Sequence, residues 1–176
     1  MKFIPLDEMS PELWYDAWET MFDPHLANHM GIDPALLQAK PTLQDFYRNI
    51  MVAHNAGRFE GWAIVAGEQF LGYTILDKRV GEWESATVLK DEKDWSSGKG
   101  AIATMHAFSW AFETDGAEWV VAYTQGKDPR VIEMHEKAGY KRLMNFWVFP
   151  RSLWFDRWKP RYDRIRRRYT PSVEED

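Results

Sequence analysis

No cysteine occurs among the 176 residues of the chain. Its absence excludes disulfides, thiolate zinc sites and cysteine nucleophiles together. Long hydrophobic runs are missing as well. The apolar stretches are cut by Glu, Asp, Lys or Gly before they reach the roughly 18 residues of a membrane span. The opening residues, Met1 to Glu8, carry no apolar core of a secretory signal, so a cytoplasmic protein with no membrane partner is expected. Internal repeats and low-complexity linkers are also lacking. Aromatic residues are abundant: ten Trp, ten Phe and seven Tyr, with 28% of the chain charged. Such a composition excludes a disordered chain, and the length fits one domain with a sizeable core.

The net charge of −5 hides a division. Residues 151–169 hold Arg151, Arg157, Lys159, Arg161, Arg164, Arg166, Arg167 and Arg168 against only Asp156 and Asp163, while residues 1–150 carry a net −8. An acidic body over 1–150 is thus followed by a basic, aromatic extension over 151–176, expected to pack on the same domain.

Periodicity supplies the elements. Lys2 to Leu6 reads as a strand. Ser10-Pro11 starts a helix bearing Leu13, Trp14, Ala17, Trp18 and Met21 at helical spacing. Asp33-Pro34 repeats that signal, and Thr42 with Asp45 resembles a capping box for a helix lasting until Gly57. Phe59 to Ala66 and Gln69 to Asp77 are strand-like runs joined by Gly67-Glu68, a hairpin signal, and Glu82 to Lys90 makes a third. After the polar loop Asp91 to Gly100 come a helix over Ala101 to Thr114, a buried strand over Glu118 to Tyr123, and a short helix capped by Asp128. Strand character returns over Tyr140 to Phe149. The order predicts an α+β or mixed α/β fold.

The loop Ser96-Ser97-Gly98-Lys99-Gly100 opens the long helix with small residues. Several amide N–H groups can there converge on one anion, and the helix dipole favours a phosphate or pyrophosphate. A helix that simply begins on small residues would read the same way.

The stretch Trp95-Ser96-Ser97-Gly98-Lys99-Gly100-Ala101 resembles the cofactor loop of the GNAT (GCN5-related N-acetyltransferase) superfamily, Arg/Gln-x-x-Gly-x-Gly/Ala. The stretch Asp128 to Tyr140, ending His135-Glu136-Lys137-Ala138-Gly139-Tyr140, is similar to its later signature, which ends Tyr-Glu-Lys-x-Gly-Phe. The resemblance is strongest over residues 59–143. It implies a mostly antiparallel sheet with one splayed strand pair flanked by helices, and acetyl-CoA as donor to an amine that attacks directly. It also implies that Val88, Leu89 and Lys90 contact the pantetheine arm, and that Ser97, Gly98, Lys99, Gly100 and Ala101 hold the pyrophosphate, with Asp128 at the cofactor side. Trp95, Asp128 in place of the usual Asn, and His135 depart from the family pattern. Lys99 could replace the charge lost with Trp95, and His135 could donate the proton to the departing thiolate.

Glu82 and Glu84, on one face of the strand entering that loop, are candidate bases, or else solvated strand carboxylates. Tyr73 and Tyr123 are candidate lining groups or core. His25 and His29 stand at i, i+4, but with no third ligand no metal site is expected; the resemblance implies an acceptor contact for this region instead. Three functions stand open: acetyl transfer to a small-molecule or protein amine, modification of nucleic-acid bases, and a GNAT-shaped binding module without catalysis. The segment 151–169, where Arg alternates with Trp, Phe and Tyr, is either a nucleic-acid footprint or a helix lying on the acidic body. A monomer or homodimer is expected.

Overall fold

A computed structural model of the chain describes residues 1–29, 37, 39–79, 81–123, 129–143 and 146–169. In chain order the elements are β1 (Lys2–Pro5), α1 (Pro11–Met21), α2 (Pro24–His29), α3 (Leu43–Asn55), β2 (Phe59–Ala66), β3 (Gln69–Arg79) and β4 (Glu82–Leu89). They continue with α4 (Glu92–Trp95), α5 (Lys99–Ser109), β5 (Trp119–Tyr123), α6 (Pro129–Ala138), β6 (Lys141–Leu143), β7 (Phe146–Pro150), α7 (Arg151–Leu153) and α8 (Lys159–Tyr169). Wide five-residue turns over Trp110–Thr114 and Trp154–Trp158 extend α5 and join α7 to α8.

Local chemistry explains the boundaries. Ser10 accepts the Leu13 N–H through its hydroxyl at 3.4 Å, and Thr42 accepts that of Asp45 at 3.1 Å, each satisfying a donor the helix leaves orphaned. The turn of Gly67 (φ +61°) and Glu68 joins β2 to β3. Two details differ from the sequence expectation. The loop 91–100 contains a helical turn, α4, and α5 begins at Lys99 rather than Ala101. The run Tyr140 to Phe149 is not one strand but a hairpin, β6 and β7, paired Lys141 with Val148. Asp33-Pro34 lies outside the described residues.

All seven strands form one sheet in the order β1-β2-β3-β4-β5-β7-β6, mixed α/β and mostly antiparallel, with β4–β5 the parallel pair. Helix α5 covers one face. Trp62, Leu76, Trp83, Val120 and Phe149 pack there on Phe108 and Phe112, and Trp154 and Tyr162 from the C-terminal segment enter the same cluster at 0% and 2% exposure. On the other face Ala63, Val65, Tyr73 and Val88 meet Ala17 and Leu26, while Leu6 and Phe59 meet Trp14 and Phe46. No helix among the described residues is long and apolar enough to cross a membrane.

Candidate functional site

The two parallel strands stay together for only two residues. Trp83 pairs with Val120 and Glu84 with Val121; beyond Glu84, β4 runs on to Leu89 with no partner in β5. A wedge therefore opens in the middle of the sheet, with Glu84 at its apex.

Which backbone groups face the wedge follows from register. The Lys90 N–H donates to the Leu71 carbonyl at 2.8 Å, and alternate residues of an antiparallel pair share this orientation. Lys90, Val88 and Ala86 thus spend their main-chain groups on β3. The fit is tight: a Cβ on Gly72 (φ +152°) would lie 2.0 Å from the Val88 carbonyl oxygen. Ser85, Thr87 and Leu89 face the other way, into the wedge. Of the sequence candidates Val88, Leu89 and Lys90, only Leu89 turns its main-chain groups to the opening. The parity of Ser85 and Thr87 had no sequence signal, because it depends on which β3 residue each opposes.

The start of α5 adjoins this edge. Gly98 adopts φ +80° to turn the chain into the helix. Ser97 holds the loop: its hydroxyl donates to the Asp94 carbonyl at 2.6 Å, its N–H donates there too, and its oxygen accepts the Lys99 N–H. Gly98, Gly100 and Ala101 retain first-turn N–H groups with no helical carbonyl behind them. The Lys99 ammonium is committed to the buried Asp94 carboxylate at 2.5 Å, so it does not replace the charge absent at Trp95. Trp95 instead donates its indole N–H to the Leu89 carbonyl at 2.9 Å, pinning the loop to the end of β4.

A chain of hydroxyls fixes the helix to the wedge wall. Thr104 donates to the Gly100 carbonyl at 3.0 Å, so it accepts from Thr87 at 2.9 Å, which in turn accepts from Thr74 at 2.8 Å. No local pattern in the sequence marks these three threonines as partners.

The carboxylates lie on the face away from α5. Glu84 stands opposite Asp77 and Glu82 opposite Arg79. One carboxylate oxygen of Glu84 is buried. Val88 and Tyr73 share that face, and full burial pushes the Tyr73 hydroxyl well above its ordinary pKa. His135 lies on α6 at 6% exposure, its ring stacked on Trp147 (centroids 5.2 Å, 18°) and edge-on to Tyr140 (4.6 Å). His25 pairs with Glu92 at 2.7 Å and its ring lies parallel to Trp95 at 6.4 Å, bringing α2 against the loop. No cluster of three metal-ligating side chains occurs among the described residues. Asp128 and the side chains of His29 and Tyr123 lie outside the described residues.

The profile of the acetyltransferase (GNAT) domain matches residues 6–141. Several solved structures share the fold. Spermidine N-acetyltransferase from Vibrio cholerae, in complex with CoA and spermine, superposes with a TM-score of 0.69 at 7% identity, covering 84% of this chain and 95% of that one. FdhC, a nucleotide-linked sugar GNAT in its apo form, gives 0.64 at 17% identity, covering 83% and 88%. An aminoglycoside acetyltransferase in complex with coenzyme A gives 0.64 at 15% identity, covering 84% and 94%. A comparison with curated protein sequences gives no match.

Proposed function

The chain belongs to the GNAT acetyltransferase family, which makes it an acyltransferase, and from that premise we propose that it transfers an acetyl group from acetyl-CoA to the amine of a small cationic acceptor. The observation that carries the reading is the parting of β4 from β5 after Glu84 and Val121, beside a helix opened by Gly98 and Gly100. The residues present fit the coenzyme. The amides of Gly98, Gly100 and Ala101 would hold its diphosphate. The wedge-facing backbone of Ser85 and Thr87, together with the Leu89 N–H, would pair with the amides of its pantetheine arm, as an added strand pairs with a sheet edge; the Leu89 carbonyl is taken by the Trp95 indole.

The bound coenzyme supplies the activated thioester. The chain's own share is to align the amine, to polarise the thioester carbonyl with a wedge N–H, and to take and return protons. Glu84, at the apex, is the proposed proton acceptor; Glu82 lies two residues before the opening. Asp77, opposite Glu84, adds negative charge that draws a cationic amine. Spermidine and aminoglycosides, on which two of the similar structures act, are polycations of the kind this acidic row suits. His135 is the proposed proton donor to the leaving thiolate, with its ring plane fixed by the stack on Trp147.

Thermal unfolding with acetyl-CoA, followed by thiol release against spermidine, an aminoglycoside and a lysine peptide, tests the reading. Ligand at 100 times its Kd contributes about 2.7 kcal/mol. Absence of stabilisation would remove the coenzyme assignment; stabilisation without thiol release from any polyamine would remove the acceptor class.

A further inference from the structure

The C-terminal segment uses its sides differently. Trp154, Trp158, Tyr162 and Ile165 recur at intervals of four, four and three residues and pack into the core beneath α5. A second side is tied to the body by Lys159, whose ammonium meets Glu113 at 2.5 Å. The arginines lie elsewhere. Arg157, Arg161, Arg164 and Arg168 stand at i, i+4, i+7 and i+11, all exposed, and form one stripe. At 1.5 Å per residue that stripe is roughly 16 Å long.

The acidic body does not neutralise it. Among the described residues, no carboxylate is paired with Arg161, Arg164, Arg167 or Arg168. Arg157 donates to the Lys137 carbonyl at 3.1 Å, and Arg157 and Arg161 both lie over the Trp158 ring, at 5.6 and 5.4 Å from its centroid. A row of like charges left without carboxylate pairing among the described residues repels itself, and an external polyanion relieves that repulsion.

We propose that the arginine stripe docks the phosphate backbone of a nucleic acid without reading its bases. Guanidinium forks match phosphate oxygens in pairs, and a regular row of them suits a regularly repeating anion better than the scattered carboxylates of a protein surface. Trp158, which lies under the stripe, is not available for base stacking. Its ring lies beneath two arginines and its indole N–H donates to the Ala138 carbonyl at 3.0 Å. This surface is independent of the wedge, and the proposal stands or falls apart from the acetyl-transfer reading.

The test is fluorescence anisotropy with a fluorescein-labelled 20-base-pair DNA duplex, repeated with a scrambled sequence, from 50 to 200 mM NaCl. Four phosphate contacts give a slope of log K against log salt of about −3.6, so affinity falls about a hundredfold across that range. Both sequences should bind equally. The combined variant R161Q/R164Q/R168Q should weaken binding at least about tenfold and bring the slope toward about −1. Its thiol-release rate should stay unchanged, because none of these side chains borders the wedge, and its melting temperature should fall only by the lost contact of Arg161 with the Trp158 ring. Unchanged duplex binding by the variant would overturn the proposal. So would competition by polyglutamate as effective as by unlabelled DNA, which would indicate an acidic polypeptide partner. Self-association abolished by the variant, with no duplex binding, would overturn it in favour of a second copy's acidic body.

Discussion

His106 should make the fold acid-sensitive between pH 7 and pH 5. Its ring, on α5, stacks on Phe3 (4.1 Å, 7°), meets Trp62 edge-on at 5.1 Å, and lies 2.7 Å from the Tyr162 hydroxyl through Nδ1. Burial, and then the charge of Arg166, lowers its pKa from 6.5 to about 4. The folded ring is therefore neutral at pH 5, whereas the unfolded chain takes up a proton there from about pH 6.5 downward. Between those values the unfolded state binds more protons, so stability falls as pH falls. Integrated from pH 7 to pH 5 the loss is about 2 kcal/mol, and it approaches about 3 kcal/mol near pH 4. At this chain length the loss to pH 5 corresponds to a drop of roughly 4–8 °C in melting temperature. His106→Gln keeps a hydrogen-bond partner for Tyr162 but cannot titrate. Thermal unfolding followed by circular dichroism at pH 7, 6 and 5 should show a smaller drop for the variant by that amount. Glu113, with its lowered pKa, loses its contribution only below about pH 4.5 and does not enter the window. Equal drops for wild type and variant would refute the buried neutral imidazole.

Further outcomes follow from single residues. Gly72→Ala should cost at least about 3 kcal/mol in urea unfolding, because the new Cβ meets the Val88 carbonyl and prises β3 from β4. Gly57→Ala, with φ +65° and open space around it, should cost only about 1–2 kcal/mol. Glu113→Ala removes the acceptor of the Trp154 indole N–H (3.0 Å), of Lys159 and of Ser109. Leaving that buried N–H unpaired should cost about 1–3 kcal/mol by chemical denaturation, against less than about 1 for Lys159→Gln. Glu84→Gln should lower kcat at least about tenfold while acetyl-CoA still raises the melting temperature, and Glu82→Gln should change kcat little. His135→Phe should lower kcat more than it weakens coenzyme binding; an unchanged rate would remove the proton-donor role.

Local chemistry made most elements readable. Ser10, Thr42 and the Gly67-Glu68 pair act on residues three or fewer positions away, so their effects are written in the neighbouring sequence. The same holds for the period-two runs of β2 to β4 and for Gly98 at the helix start. The β6–β7 hairpin was missed because Tyr140 to Phe149 alternates well enough to read as one strand. In the candidate site, the small residues of the loop Ser96 to Gly100 were visible in the sequence, and the resemblance to the GNAT cofactor loop singled out its amides. The side-chain fate of Lys99 was not, since nothing in the spacing tells an ion pair with Asp94 from a reach into solvent.

From the order of its residues alone, most of this protein's helices and strands and its glycine-opened loop were determined, because each answers to neighbours within a turn or two. Tertiary structure decided the rest. Which β4 residues face the wedge depends on opposition to Leu71 and Gly72, and a shift of one position would reverse it. Whether the C-terminal arginines meet carboxylates or water depended on which side of the helix the core claimed. Trp154 and Tyr162 made that choice by burying their apolar surface against Phe112 and His106, which left the arginines outside.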